Sequence, residues 1–180
     1  MRRLILFRHA RAEPKPADAG DSARALDAVG RAEAVAAGTW LAARGYGPDV
    51  VLISPSLRTL QTWESVADLL PKAALLVIDD LYDALPEEII AAIEDVSEDA
   101  RMVMVIAHNP GLQEVAVGLL SETPGSHVGL ERVSAGFPTG AVAVLDMQDP
   151  NGPRLEALFT PRQATSTVAQ SSKPSQGGES

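Results

Sequence analysis

Apolar and polar positions follow two alternating patterns along most of the chain. Short, nearly continuous apolar runs are typical of buried strands, and the longer stretches between them have the spacing of helices. The predicted strands are residues 3–7, 49–54, 74–78, 102–107, 141–147 and 154–159. The predicted helices are residues 27–44, 55–70, 86–96 and a helix after Pro110. Buried strands separated by helices favour an α/β fold, so we expect a three-layer α/β/α sandwich with a mostly parallel central sheet.

The end of the chain has a different composition. The segment ATSTVAQSSKPSQGGES is rich in serine, glutamine and glycine and nearly free of bulky apolar residues. Such a segment buries too little surface to offset the entropy that ordering would cost. We expect one folded domain over residues 1–162 and a disordered tail over residues 163–180.

The net charge limits the classes of molecule that the protein is expected to bind. The 180 residues carry 24 acidic and 15 basic side chains, a formal net charge of −9. Nucleic acids and anionic membranes both require a basic surface, so this balance argues against either partner. The first apolar run, LILF, is too short for a signal-peptide core or a membrane span. We therefore expect a cytoplasmic protein that binds neither nucleic acid nor membrane.

Metal and thiol chemistry have little support in the sequence. Cysteine is absent, which removes disulfides, thiolate metal sites and cysteine nucleophiles. The three histidines lack metal-binding spacing such as HExxH. We expect no metal and no cofactor.

Basic and imidazole side chains follow three of the predicted strands. The first strand ends in Arg8 and His9, Arg58 lies just after the second, and His108 follows the fourth. Ligands of open α/β sheets bind outside the carboxyl ends of the strands, so these side chains are expected to meet there. Guanidinium groups and helix N-termini both favour phosphate oxygens. The two imidazoles add the capacity for nucleophilic attack on phosphorus. The pattern therefore predicts a site that binds a phosphoryl group and reacts with it.

Two other polar residues have simpler interpretations. Ser54, followed by Pro55, is expected to cap the second helix rather than to take part in catalysis. His127 lies in the glycine-containing stretch PGSHVG, and we expect it in a surface loop.

Several motifs in this order resemble the histidine phosphatase superfamily, which has the phosphoglycerate-mutase-like fold. They are RHA after the first strand, SPSLRTLQT after the second and AHNPGL after the fourth. DSARALDAVGRAEA and FPTGAVAVLD are most similar to its small phosphohistidine phosphatase branch, the SixA type. The resemblance covers residues 4–159. Ala10 is a departure, because the superfamily usually has glycine at that position.

The resemblance implies roles for individual residues. His9 would be the nucleophile that carries the phosphoryl group, held by Arg8, Arg58 and His108. Neutral His9 would have its tautomer fixed by a neighbouring backbone carbonyl. Arg24 matches the arginine of the branch's characteristic loop and would line the mouth of the pocket. Asn109 would contribute through its backbone or as a helix cap.

The general acid is not defined by the motifs. Larger relatives place an acidic side chain over the leaving group, after the third strand. Here the segment DDLYDALPEE offers several carboxylates, of which we select Asp83. The others are Asp79, Asp80, Glu87 and Glu88. An imidazole leaving group needs an acid less than an alkoxide does, so the chemistry can proceed without one on phosphohistidine.

The expected function is a phosphatase that forms a covalent phosphohistidine at His9. Its expected substrate is phosphohistidine on a protein, because the short chain has little material to roof the pocket. The alternative is a small-molecule phosphomonoesterase using the same site. A non-catalytic phosphate-binding module is less favoured, since neither His9 nor Arg58 is replaced. The sequence leaves the oligomeric state open.

Overall fold

A single sheet organises the part of the chain that the computed structural model describes, residues 1–15, 17, 20–96 and 99–161. Six strands form it in the order β3-β2-β4-β1-β5-β6. The strands are β1 (Arg3–Arg8), β2 (Val50–Ile53), β3 (Ala74–Val77), β4 (Met102–Ala107), β5 (Val142–Asp146) and β6 (Arg154–Phe159). All six lie where apolar runs predict them.

The four strands from β3 to β1 are parallel, and the last two are antiparallel. β4 pairs in parallel with both β1 and β2, while β5 runs antiparallel to β1 and β6 antiparallel to β5. Arg8 lies beside Ala107, and Ile53 lies beside Ile106. The carboxyl ends of β1, β2 and β4 therefore reach the same edge of the sheet.

Helices cover both faces of this sheet. They are α1 (Ala28–Ala42), α2 (Leu57–Val66), α3 (Pro86–Glu94), α4 (Gly111–Ser121) and α5 (His127–Ser134). Asp27 caps α1, as expected, by accepting a 2.6 Å hydrogen bond from the Gly30 N–H. α2 is shorter than its predicted range, because the chain tightens into a 3₁₀ turn at Ala67–Leu69.

Alternate side chains of β1 pack into two separate hydrophobic cores. Leu4 and Leu6 pack with residues of α3, α4 and α5 on one face, whereas Ile5 and Phe7 pack with residues of α1 and α2 on the other. A strand with both faces buried reads as a continuous apolar run, which is why LILF lacks the alternation of a half-exposed strand. The predicted three-layer α/β/α sandwich with a mostly parallel sheet is confirmed.

The loop predicted for the stretch that contains His127 is wrong. His127 is the first residue of α5 rather than part of a loop, although its side chain is exposed as expected. The two glycines of this stretch, Gly125 and Gly129, favour a loop over a helix, so the sequence pattern does not indicate α5. A Cβ on Gly129 would lie 2.8 Å from the Cβ of Leu155, so glycine permits α5 to approach β6 closely. That tertiary contact leaves no local signal in the sequence.

Two further expectations concern the location of the protein and its C-terminal tail. Among the described residues, no helix is long and apolar enough to cross a membrane; the cytoplasmic location stays a prediction. The predicted disordered tail, residues 163–180, lies outside the described residues, and so does the boundary at residue 162.

Candidate active site

The site lies where β1, β2 and β4 end. β1 leads into His9, β2 into Ser54 and β4 into His108, and Arg58 projects from the first turn of α2. All four side chains are buried. The parallel register of the three strands brings them together, as the sequence predicts.

The tautomer of His9 follows from its hydrogen bond. Its Nδ1 lies 2.8 Å from the carbonyl oxygen of Ala10, and a carbonyl only accepts, so neutral His9 carries its proton on Nδ1. The lone pair is then on Nε2, which has no hydrogen-bond partner among the described residues. Burial, opposed by the Ala10 hydrogen bond and assisted by the charges of Arg58 and Arg8, lowers the pKa of His9 to about 4. The imidazole is therefore neutral at pH 7.

The backbone after His9 is fixed from two sides. The Ala10 N–H donates a 3.0 Å bond to Thr62 Oγ1, and the Thr62 hydroxyl donates to the Arg58 carbonyl at 2.7 Å. On the other side, a Cβ on Gly30 would lie 1.9 Å from the Arg11 carbonyl oxygen, so only glycine lets α1 approach this closely. Thr62, which the sequence analysis did not select, thus ties the His9 turn to the helix that carries Arg58.

His108 lies beside His9, with 5.2 Å between the ring centroids. Its Nδ1 is 3.2 Å from Arg58 Nη2, which can only donate, so Nδ1 accepts. The proton of neutral His108 is then on Nε2 and points at Ser54 Oγ, 2.8 Å away. Burial and the charge of Arg58 lower the pKa of His108 to about 3. Both ring nitrogens are engaged by the protein in this state.

Ser54 is therefore not the helix cap that the sequence suggested. Ser56 precedes α2, and Ser54 is the hydrogen-bond partner of His108. The two residues are far apart in sequence, and no local pattern could have linked them.

Arg58 is the most deeply buried cation of the site, with 4% of its surface exposed. Its Nη1 donates to the Asp21 carbonyl at 2.8 Å, and its Nη2 lies 3.0 Å from Asp21 Oδ2 as well as near His108. Its Nε–H has no partner among the described residues. A buried N–H without a partner costs free energy unless a ligand satisfies it.

Arg8 is half-buried and similarly incomplete. Its Nη1 donates to the Phe137 carbonyl at 2.8 Å, and its Nε–H has no partner within the described part of the chain. Burial lowers the pKa of Arg8, because there is little compensating negative charge. The site thus contains two guanidinium groups that each retain a free, buried donor.

Asp21 links the arginines at the mouth of the site. It belongs to a 3₁₀ turn, Asp21–Ala23, and accepts from Arg24 Nη1 at 3.1 Å on one oxygen. Its other oxygen takes the contact with Arg58 and accepts from the Tyr82 hydroxyl at 3.0 Å. The hydrogen bonds from Arg24 and Tyr82 lower the pKa of Asp21 to about 2. The sequence analysis selected Arg24 and missed Asp21, although the i, i+3 spacing of an acid and an arginine was visible.

Tyr82, like Thr62 and Asp21, is a residue of the site that the sequence motifs did not indicate. Its ring meets His108 edge-on at 5.5 Å between centroids, and the Arg58 guanidinium lies 5.8 Å from its centroid. Burial and the bond to Asp21 raise the pKa of Tyr82, so its hydroxyl remains a donor at neutral pH. Tyr82 lies in DDLYDALPEE, the segment whose carboxylates were the predicted candidates for the general acid.

The candidate acids of that segment lie outside the buried cluster. Asp83 is exposed and has a left-handed backbone with φ of 51°; its charge acts on Tyr82, the neighbour that faces His108. Glu88 accepts a bond from the Leu85 N–H at the start of α3. The remaining candidates, Asp79, Asp80 and Glu87, are exposed.

Asn109 faces a cavity beside the buried cluster. Its amide donates to Gln113 Oε1 at 3.0 Å and to the Phe137 carbonyl at 3.1 Å. It does not cap α4, because Pro110 occupies that position. The cavity has a volume of about 470 Å³. Its lining residues are Arg8, Asn109, Gln113, Ala135, Gly136, Phe137, Pro138 and Thr160.

No group of three or more side chains that could hold a metal ion occurs within the described residues. The cluster instead combines unprotonated imidazole with guanidinium donors that lack partners. That combination can accept an anion rich in acceptor oxygens and can attack it.

Comparison with known proteins identifies the family. The family model of the histidine phosphatase superfamily (branch 1) matches residues 4–85. An uncharacterized protein of Mycobacterium tuberculosis is 33% identical over 139 residues, 77% of this chain and 85% of that protein.

Comparison with solved structures supports the same family. A protein named phosphohistidine phosphatase SixA from Agrobacterium tumefaciens is 29% identical, with a TM-score of 0.79 over 89% of this chain and 98% of that one. The protein histidine phosphatase SixA complexed with tungstate is 25% identical, with a TM-score of 0.74 over 90% and 99%. The chain belongs to the histidine phosphatase superfamily, and it is a phosphatase of a metal-independent family.

Proposed function

We propose that this chain is a protein phosphohistidine phosphatase that acts through a covalent phosphohistidine at His9. The observation that carries the proposal is the state of His9. The imidazole is neutral, its Nδ1–H is bound to the Ala10 carbonyl, and its Nε2 lone pair lies beside buried guanidinium groups. A nucleophile in this state needs no base to activate it.

In the first step, His9 Nε2 attacks phosphorus while the bond from phosphorus to the leaving nitrogen breaks. The leaving imidazole takes up a proton from solvent water and departs neutral, and His9 keeps its own proton on Nδ1. Phosphoryl transfer spreads negative charge over the three equatorial oxygens, which buried donors stabilise. Arg8 and Arg58 supply these donors, including the Nε–H groups that lack partners in the described structure.

His108 and Arg24 have secondary roles in this scheme. The Nε2–H of His108 can donate to a phosphoryl oxygen instead of to Ser54 Oγ. The Ser54 hydroxyl can then bond to solvent or to phosphate in its place. Arg24 lies at the mouth and adds positive charge near His9. Asn109 contributes to the wall between the phosphate site and the neighbouring cavity.

In the second step, water attacks the phosphoryl group on His9, and the bond from phosphorus to Nε2 breaks. Inorganic phosphate leaves, and neutral His9 is regenerated with its proton on Nδ1. The hydrogen bond to the Ala10 carbonyl is the same in both states, so the ring need not rotate between steps.

Among the described residues, no carboxylate forms a hydrogen bond with His9 or His108, which supports phosphohistidine as the substrate. Asp21 is the carboxylate bound to the buried cluster, and with a pKa of about 2 it is ionised at pH 7. Asp83, our candidate acid, is exposed and would have to act from the rim. An imidazole leaves readily without strong acid assistance, whereas an alkoxide does not. The names of the SixA neighbours agree with this substrate.

A small-molecule phosphomonoesterase is the second candidate. The cavity of about 470 Å³ beside Arg8 is large enough for an organic group attached to the phosphate. An ester substrate would make Asp83 necessary as the acid, so the two candidates differ in their response to Asp83→Asn.

The experiment compares phosphate release from a phosphohistidine-bearing protein with release from p-nitrophenyl phosphate. Wild type is expected to prefer the phosphohistidine, and His9→Ala to lose activity by at least about 10³-fold. His127→Ala is the matched control, because it removes an exposed histidine on α5. Label from radioactive substrate should appear on wild type and not on His9→Ala.

Three results would contradict the proposal in different ways. Full activity of His9→Ala would remove the nucleophile assignment. Preference for the ester, with a loss in Asp83→Asn, would favour the phosphomonoesterase. Turnover without any transient label would exclude the covalent step under quench conditions that preserve phosphohistidine.

A further inference from the structure

Three buried side-chain atoms have no hydrogen-bond partner among the described residues, and one of them differs in kind from the other two. Arg8 Nε and Arg58 Nε are donors, whereas Asn109 Oδ1 is an acceptor. A phosphoryl dianion has oxygens that accept hydrogen bonds and no N–H or O–H of its own. It can therefore satisfy the two arginines but not Asn109, whose partner must be a donor other than phosphate.

The orientation of the Asn109 amide is fixed by its neighbours. Gln113 donates to the Val133 carbonyl at 3.0 Å, so its Oε1 faces Asn109 and accepts from Nδ2 at 3.0 Å. The Phe137 carbonyl, which only accepts, takes the second Nδ2 bond at 3.1 Å. Exchanging the nitrogen and the oxygen of the Asn109 amide would place oxygen against both of these oxygens. Oδ1 is therefore an acceptor in a fixed position.

Asn109 lies next to the arginine that the proposed function assigns to phosphate binding. Both Asn109 and Arg8 line the cavity of about 470 Å³. The Phe137 carbonyl accepts from Arg8 Nη1 at 2.8 Å as well as from Asn109 Nδ2, so a single oxygen lies between the two side chains. The cavity is large enough for an imidazole ring. A ring attached to a phosphoryl group at Arg8 and extending into the cavity would thus come close to Asn109.

The protonation state of the substrate ring decides whether it can bond to Oδ1. In a neutral phosphohistidine, one ring nitrogen is bonded to phosphorus and the other has a lone pair, so the ring offers no N–H. Protonation of the second nitrogen creates a donor, and a charged donor forms a stronger hydrogen bond than a neutral one. The protonated ring is also the better leaving group, because it departs as neutral imidazole.

We propose that the cavity receives the leaving ring of phosphohistidine, and that Asn109 Oδ1 accepts a hydrogen bond from the protonated ring nitrogen that is not bonded to phosphorus. This inference rests on the proposed function and names the residue that selects its substrate. The ring takes its proton from solvent water before the transfer. His9 Nε2 then forms the bond to phosphorus, and the electron pair of the broken phosphorus–nitrogen bond stays on the leaving nitrogen. Neutral imidazole departs with the proton on its other nitrogen.

The water that hydrolyses the intermediate is another donor for this acceptor, and the two roles have different consequences. Water takes part in the second step, which is the same for every substrate because the phosphoryl group is then on His9. A bond to the leaving ring acts in the first step, and only on substrates whose leaving group has an N–H. The two roles therefore differ in how the effect of Asn109 depends on the leaving group.

The test compares kcat/KM for phosphoimidazole, which contains the leaving ring alone, with kcat/KM for p-nitrophenyl phosphate, whose leaving group has no donor. Asn109→Leu should lower the ratio of phosphoimidazole to ester by about 10–100-fold, because a hydrogen bond to a charged group is lost. Asn109→Asp should keep the ratio at or above its wild-type value, because a carboxylate oxygen is a stronger acceptor. Both variants lose the Nδ2 bonds, so the difference between them reports on the acceptor.

Asn151→Leu is the matched control. Asn151 is exposed in the turn after β5, whose last residue, Asp146, pairs with Arg3 at the start of β1. The turn thus lies at the end of the sheet opposite to the site, and the substitution should leave both values of kcat/KM unchanged. In Asn109→Leu, the lifetime of label on His9 should also be unchanged.

The outcomes separate this inference from the proposed function. An equal loss for both substrates in Asn109→Leu, or a longer-lived label on His9, would assign Asn109 to the hydrolytic water or to the shape of the site. A ratio in Asn109→Asp as low as that in Asn109→Leu would remove the acceptor role. Inactivity of the wild type toward phosphoimidazole would overturn the inference as well. The proposed function itself fails only if the wild type also releases no phosphate from the phosphohistidine-bearing protein.

Discussion

The two ends of β1 each carry an arginine, and the two side chains are in opposite states. Arg3, at the start of the strand, is partly exposed and forms two hydrogen bonds to the Glu156 carboxylate, at 2.6 and 3.1 Å. Arg8, at the end, is half-buried, donates to a backbone carbonyl and keeps an Nε–H that has no partner among the described residues. Glu156 raises the pKa of Arg3, and burial lowers that of Arg8.

This difference separates an arginine that is satisfied within the protein from one that the proposed function assigns to phosphate binding. Arg3 is satisfied by the protein, so a ligand would gain nothing from it. Arg8 holds its charge in a partly desolvated place, and no carboxylate of the described residues pairs with it, so an incoming dianion can supply the missing negative charge. The comparison teaches that the proposed phosphate site is marked by donors that lack partners among the described residues as much as by the types of residue present.

Alanine at the two positions gives the largest expected contrast. Arg8→Ala should lower kcat/KM for phosphate release by about 10²–10³-fold, because it removes donors that stabilise the transferring group. Arg3→Ala should leave kcat/KM unchanged and cost less than about 1 kcal/mol of unfolding free energy, as exposed ion pairs do. Steady-state kinetics and denaturant unfolding of both variants measure these effects. Equal losses of activity would end the distinction.

Asp21→Asn sharpens the comparison by changing the charge balance of the site itself. Asp21 is the carboxylate that partly neutralises Arg24 and Arg58. Its removal at nearly constant shape should tighten competitive inhibition by inorganic phosphate by about tenfold, because Coulomb attraction in the pocket increases. The inhibition constant at low ionic strength is the measurement. Weaker inhibition would mean that Asp21 acts chiefly by orienting Arg58.

Only some residues of the site could be predicted from the sequence. The reason that the others could not is physical. His9, Arg58 and His108 could be placed together because parallel strands bring their carboxyl ends to one edge. Asp21 could be paired with Arg24 from their spacing, but its contact with Arg58 depends on the finished packing. Tyr82 could not be placed, since the path of its segment also depends on that packing.

The same limit applies to the fold. The strands were predictable because burial on both faces makes each of them a continuous apolar run. α5 was not, because its Gly129 is explained only by the approach of Leu155 in a distant strand. The role of Ser54 likewise depends on a contact with His108 across two strands.

The smallest expected effect is on the pH dependence of stability. The pKa values of His9 and His108 are about 4 and 3 in the folded chain, against 6.5 as the ordinary value. Between pH 6.5 and pH 5, the unfolded state therefore binds protons on both histidines that the folded state does not. The free energy of unfolding should fall as the pH is lowered through this window. His9→Ala should reduce that slope by about one proton, measured by urea unfolding at several pH values, with His127→Ala as the matched control. An unaltered slope in His9→Ala would mean that His9 is protonated in the folded chain near its ordinary pKa, and would remove the neutral nucleophile on which the proposed mechanism depends.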